Sequence, residues 1–272
     1  MFNYKLTILG CGGSSGVPSI DQGWGRCDSK NKKNYRTRTS AFLSIYAKEN
    51  PAQKVDILFD VSPDFRCQAL ANKITNIDYI LFTHSHADHI YGLDDIRSIN
   101  RLMKKSINAY TSQETLQILQ KSFHYIFNNK SSNMEGFSAP SIDFNIIDYH
   151  KEYKINNYIN IKTTLHNHNN ISTMGFVINN KIGYATDFKT MDNQSKESYK
   201  NLDLLVISCF TAKPHISHMT LDDTISLITN ELKPKKAILT HMGVGIDYKE
   251  TKSKLPKNII VGFDNLSVEV KP

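Results

Sequence analysis

The sequence predicts an α/β protein made of two β-sheets packed face to face, with helices on the outside. Three observations predict it. Short apolar or alternating runs, rich in β-branched and aromatic residues, recur along the chain and end at Asn, Gly or Asp. Segments with helical spacing fall between many of them. The runs gather into two rough halves, separated by a polar stretch from Asn128 to Ser141.

The strand-like runs of the first half are YKLTIL, AFLSIY, VDILF, YILFT and INAYT. Those of the second are FNIIDY, INIKTTL, MGFVIN, KIGYAT, LDLLVIS, KKAILT and NIIVGF. Helical patterns run from Ser62 to Ala71, Ile90 to Met103, Ser112 to Ile126, Leu221 to Leu232 and Tyr248 to Lys254. Thr220 is placed as an N-cap, with Asp223 in the first turn of its helix.

A chain of 272 residues can bury a full core as one large domain or two small ones. No stretch approaches the ~18 apolar residues of a membrane span. The N-terminus runs straight into a strand pattern, so no signal peptide is read. Cys11, Cys27, Cys67 and Cys209 are scattered with no CxxC, which suits reduced thiols in a cytoplasm. The net charge of +7 admits an anionic partner, such as a phosphate ester or nucleic acid. That charge is spread out, however, and no Arg/aromatic interleaving marks a nucleic-acid platform.

The densest chemistry lies in LFTHSHADHIYG, where His84, His86, Asp88 and His89 fall within six residues after an apolar run. A two-residue step puts His84 and His86 on one side of an extended segment. The helix start can turn Asp88 and His89 toward a second point nearby. One cluster can therefore feed two adjacent cations. Imidazole and carboxylate suit Zn²⁺, Mn²⁺ or Fe²⁺. Further ligand types stand at the ends of later strands: His166 and His168 in TTLHNHNN, Asp187 in IGYATDF and His241 in AILTHMG. Asp187 is well placed to bridge two metals through its two oxygens.

THSHADH resembles the HxHxDH signature of the metallo-β-lactamase superfamily, and the later His, Asp and LTH follow in that superfamily's order. The resemblance covers nearly the whole chain. It implies a four-layer αββα sandwich, the metallo-β-lactamase fold, as a single hydrolase domain over residues 1–272. It also implies two divalent metal ions, Zn²⁺ or Mn²⁺. Carried over residue by residue, His84, His86 and His168 bind one, Asp88, His89 and His241 bind the other, and Asp187 bridges them. Asp88 also counts among the catalytic residues. His168 is chosen because Gly175-Phe176 follows it at the family's distance. His166 is then a surface residue or one behind the ligands.

GCGGSSGVP, NYRTRTSAFLSI, PHISHMTLDD and ILTHM look like the phosphoribosyl 1,2-cyclic phosphate phosphodiesterase group, which is also similar to ribonuclease Z. This implies hydrolysis of cyclic or nucleotide-like phosphodiesters. Two metals would bind the phosphate and lower the pKa of a bridging water toward ~7, yielding hydroxide for attack. The departing alkoxide then needs a proton from a histidine outside the ligand set. His218 is expected in that role, with Ser208 or an aspartate holding its ring, and His215 is the competitor. Arg36 and Arg38 either face the phosphate or form structural pairs. The Gly-rich loop has the wrong spacing for a nucleotide fingerprint.

Two departures stand out. Relatives carry several cysteines near GWGRCDS and a histidine soon after LTH, which together hold a structural zinc. Here only Cys27 remains, so none is expected. Relatives often end the LLVIS strand in an acidic residue, where this chain has Ser208. The expected partner is a small phosphodiester; nucleic acid is not favoured, no membrane is expected and a homodimer is allowed. The rival readings are a ribonuclease Z-like endonuclease and a non-catalytic metal-binding module.

Overall fold

The computed structural model of the chain describes residues 2–50, 53–128 and 138–271. Most of the polar loop expected from Asn128 to Ser141 lies outside them. The chain divides into two compact units. One comprises Met1–Gly10, Thr39–Ile147 and Asn265–Pro272, the other Cys11–Arg38 and Asp148–Asp264.

The first unit holds a seven-stranded sheet. Its antiparallel part is β1 (Phe2–Gly10), β2 (Ser40–Ala47) and β3 (Lys54–Phe59), with β15 (Ser267–Val270) beside β1. From β3 the sheet continues in parallel through β4 (Tyr79–Leu81), β5 (Ile107–Thr111) and β6 (Ile142–Ile146). Parallel neighbours need crossover connections, and helices supply them. These are α1 (Phe65–Ala71), α2 (Ala87–Ile90), α3 (Ile96–Met103), α4 (Gln113–Ser122) and α5 (His124–Asn128). In α3, Ile96 and Ile99 are buried at i, i+3, with Met103 partly buried on the same core. Phe65, Leu119 and Phe123 join Phe42, Leu58, Ile80 and Ala109 of the sheet in that core.

The second unit holds an eight-stranded sheet of β7 (Glu152–Lys154), β8 (Asn160–His168), β9 (Ile171–Ile178), β10 (Ile182–Ala185), β11 (Thr190–Met191), β12 (Leu204–Ser208), β13 (Lys236–Thr240) and β14 (Ile259–Val261). β8, β9 and β10 form an antiparallel meander, and β10, β12, β13 and β14 run parallel. The parallel strands are near-continuous apolar runs, as strands covered on both faces should be: LLVIS of β12 is wholly buried. Its helices are α6 (Asn193–Tyr199), α7 (Leu221–Ser226), continued by π-helical turns over Leu227–Leu232, and α8 (Tyr248–Lys254). Thr220 caps α7 as expected, and Asp223 completes a reciprocal capping box.

Three differences from the sequence reading have plain causes. The helix expected from Ser112 to Ile126 breaks at Phe123, whose non-helical backbone the apolar spacing could not report. The one expected from Ile90 to Met103 begins earlier as α2 and changes to a 3₁₀ turn at Leu93–Asp95. β7, β11 and β15 are too short or too polar to read.

Candidate metal centre

In both units the chemistry stands just beyond the carboxyl ends of parallel strands, where open α/β sheets present their ligand sites. Asp60 follows β3 and the His84–His89 cluster follows β4. In the second unit Asp187 and His241 follow β10 and β13. β8 runs in the same direction as β10, so its last residue, His168, ends at the same rim.

The first unit's four residues form two pairs. His84 and His86 lie on the extended segment after β4, with ring centroids 4.6 Å apart. His86 is the extended N-cap of α2, and the single turn that follows carries Asp88 and His89. Within each pair the ligand atoms lie within 4.8 Å of one another. Each pair thus gathers donor atoms closely enough to contribute to one cation position.

His89 is fixed from behind. Its Nδ1 donates to Asp60 Oδ2 at 2.7 Å, and both side chains are fully buried. Asp60 also accepts from the Thr83 N–H and hydroxyl, each at 2.8 Å. Burial pushes the Asp60 carboxyl up, while His89 and the Thr83 hydrogen bonds pull it down. With its proton on Nδ1, His89 keeps a lone pair on Nε2, 3.2 Å from Asp88 Oδ2. Two Lewis bases in contact in a buried place are what a shared cation stabilises.

In the second unit Asp187 has ligand atoms of His168 and His241 each within 4.8 Å. His241 Nε2 is 2.9 Å from Asp187 Oδ1. Thr186 Oγ1 donates to that oxygen at 3.0 Å, and Thr173 Oγ1 donates to the Asp187 carbonyl at 2.8 Å. His168 donates from Nδ1 to the Ser217 carbonyl at 2.8 Å, which reserves Nε2 for a ligand. Asp60, Asp187 and His241 all have left-handed backbones, with φ of 56°, 52° and 56°. Such residues are uncommon outside glycine and cost on the order of 1–3 kcal/mol, so the turn that aims each side chain is held by the surrounding bonds.

The residues fit divalent cations. All donors are imidazole nitrogen or carboxylate oxygen, a set suited to Zn²⁺ or Mn²⁺. His89 and His168 each spend one ring nitrogen on an oxygen acceptor, the usual way a ligand imidazole is oriented.

His218 is buried in the second unit, its ring 4.6 Å from His168 and 5.2 Å from His241. It stacks on Phe210 at 4.3 Å. Burial lowers its pKa to about 3; Asp187 opposes that, while His241, His168 and His215 add to it. Ser208 does not hold the ring: its buried hydroxyl has no hydrogen-bond partner among the described residues, and neither does His218 Nδ1. Phe210 takes that place by packing. Gly13 of the Gly-rich loop lies so close to Phe210 that a Cβ would come within 2.7 Å of the ring. The loop's glycines thus serve close packing in this unit.

Three alternatives left open by the sequence are narrowed. His166 is not at the surface: it is fully buried, with Nε2 3.0 Å from Thr164 Oγ1 and 3.3 Å from the Tyr199 hydroxyl. Burial lowers its pKa to about 3. Arg36 does not face a phosphate. It is buried and donates to the Ile246 carbonyl at 2.6 Å, the Gly243 carbonyl at 3.3 Å and Asn34 Oδ1 at 3.3 Å. Ser208 is the third, as above. Cys27 donates from Sγ to the Val244 and Ile246 carbonyls, both at 3.4 Å. Sequence reasoning misses Asp60, Phe210 and Ser217. An aspartate closing the VDILF run is the one available signal, the same that marks Asp187.

Residues 56–242 match the family model of the β-lactamase superfamily domain. The chain belongs to this family and has the α/β fold of the metallo-β-lactamase superfamily. Within it, the chain is similar to a crystal structure described as a new diphosphatase from the PhnP family. The two are 30% identical with a TM-score of 0.85, over 99% of this chain and 98% of that one. The human short-form tRNase Z has the same fold, at 15% identity and a TM-score of 0.66 over 97% of this chain and 98% of that one. An octanoyltransferase of Porphyromonas gingivalis is 28% identical over 271 residues, 96% of this chain and 51% of that protein. The chain therefore spans about half the length of this curated relative. Among the described residues, no helix is long and apolar enough to cross a membrane.

Proposed function

We propose that the chain is a single-domain, dinuclear metal-dependent phosphodiesterase acting on cyclic or nucleotide-like phosphodiesters. His84, His86 and His168 would hold one ion, Asp88, His89 and His241 the other, with Asp187 shared. One observation carries the reading: the first unit offers its ligands as two pairs, and the second offers one carboxylate flanked by two histidines. Such a pattern would suit two ions that share the Asp187 carboxylate. Bound divalent ions would supply Lewis acidity and a nucleophile at neutral pH. The 30%-identical relative's description as a diphosphatase supports chemistry at phosphorus. Free thiols at all four cysteines support a reducing, cytoplasmic setting.

Hydrolysis forms a P–O bond to a water oxygen and breaks the P–O bond to the leaving alkoxide, which must gain a proton. We assign that proton to His218. Burial favours its neutral ring, and the charge of a bound phosphodiester would raise its proton affinity, as Asp187 already does. His215 is less suited, because its Nδ1 already accepts from the Ser217 N–H.

Metal analysis together with hydrolysis of bis-p-nitrophenyl phosphate tests the reading. About two ions per chain and turnover of the diester are expected, with Asp187→Ala losing metal. A protein that stays metal-free after reloading, or one that binds metal yet leaves every phosphodiester intact, overturns it.

A further inference from the structure

Ser217 links two histidines of the second unit. Its carbonyl accepts from His168 Nδ1 at 2.8 Å. Its backbone N–H and its hydroxyl each lie 3.3 Å from His215 Nδ1. A backbone N–H can only donate, so His215 Nδ1 must accept. The ring proton then sits on Nε2. A second proton on Nδ1 would set two donors head to head and forfeit the bond.

His215 is thereby a neutral ring with one fixed donor, on the edge away from Ser217. It is only partly buried, unlike His218. Its ring lies 5.0 Å from His218 and 5.2 Å from Phe210. Burial, His168 and Lys189 all lower its pKa, so its environment disfavours charging the ring. An anionic oxygen is the natural acceptor for an N–H in such surroundings. Because Ser217 orients both His168 and His215, ligand and donor are set from one residue, and their spacing is built in before substrate arrives.

We propose that His215 is a substrate-binding residue whose Nε2–H donates to a phosphoryl oxygen, while His218 handles the leaving group. This rests on the phosphodiesterase reading. The two histidines of PHISH then differ in kind: one binds without changing its protonation, and the other gives up a proton.

The test compares His215→Phe, His215→Gln and His215→Asn in the metal-loaded enzyme. A glutamine amide nitrogen reaches about as far as Nε2, an asparagine one only as far as Nδ1. His215→Phe should raise KM for bis-p-nitrophenyl phosphate roughly ten- to a hundredfold, the worth of a hydrogen bond to a charged group. His215→Gln should recover most of that and His215→Asn little, with the pH–rate profile unmoved. Ring ¹⁵N NMR of the wild-type zinc form should show the Nε2–H tautomer at His215 and a shift on adding inorganic phosphate. An unchanged KM in His215→Phe, a displaced pH limb, an Nδ1–H tautomer or no response to phosphate would each overturn the assignment. If the wild type cleaves no phosphodiester, the functional reading fails, and the NMR measurements still decide on His215.

Discussion

Asp60 and His89 share a 2.7 Å hydrogen bond with both side chains fully buried, and it fixes which nitrogen of His89 faces Asp88. The carboxylate's remaining capacity goes to the Thr83 N–H and hydroxyl. Asp60→Asn must turn an NH₂ toward one of these donors. It should fold yet bind metal roughly 10–100-fold more weakly, the usual cost of losing a ligand's orienting partner. Chelator competition measures this, and affinity equal to wild type would show that His89 needs no such partner.

A second prediction concerns the buried cluster of Thr164, His166 and Tyr199. Thr164 Oγ1 sits 2.7 Å from the Tyr199 hydroxyl, which donates to the Tyr184 carbonyl at 3.2 Å. Gly175 faces this cluster, and a Cβ there would overlap the Tyr199 hydroxyl and the His166 ring. Gly175→Ala should cost about 1–3 kcal/mol, as overpacking of a filled core does. Denaturant unfolding would report it, and an unchanged midpoint would mean that the strand can shift.

Much of the site is legible in the sequence because its ligands are concentrated. Four metal-type residues within six positions are hard to account for without a cation, and Asp187 and His241 stand at readable strand ends. What stays hidden is carried by backbone. The Ser217 carbonyl that orients His168 has no sequence mark, since every residue has a carbonyl. Nor do the left-handed turns at Asp60, Asp187 and His241 show in residue type. Arg36 stays open in the sequence because an arginine near a Gly-rich loop suits a phosphate as well as a structural role; its acceptors include the carbonyls of Gly243 and Ile246. β15 pairs with β1 from the far end of the chain, a partnership that the four residues SVEV do not announce.

Asp264 gives the fold a pH dependence of definite sign. Its carboxylate accepts from the Cys11 N–H at 3.1 Å, the Thr37 N–H at 2.8 Å and the Thr37 hydroxyl at 2.7 Å. Burial nonetheless raises its pKa from 3.8 to about 6, against the pull of those bonds. Between these values the folded chain binds the proton more tightly than the unfolded one. Asp264's contribution to stability is therefore greatest below the lower value, falls as pH rises through the window, and is flat above it. The stability difference between wild type and Asp264→Asn should shift against the wild type from about pH 4 to pH 6. A difference independent of pH would show that Asp264 ionises normally.

The last prediction separates proton donation from metal binding. His218 stacks on Phe210 at 4.3 Å and lies beside His241 at 5.2 Å, and its Nδ1 has no hydrogen-bond partner among the described residues. In the proposed reaction it protonates the leaving oxygen and coordinates nothing. His218→Ala should therefore keep the metal content of the wild type. It should lose about 10²–10⁴ in kcat on an alkyl phosphodiester, the range general acid help commonly supplies. A p-nitrophenolate departs without a proton, so the loss should shrink on bis-p-nitrophenyl phosphate. Metal analysis and the two substrates together decide the matter. Equal losses on both would make His218 a packing residue for His241. Loss of metal would place it among the ligands, and undiminished activity on both would leave the proton to another group.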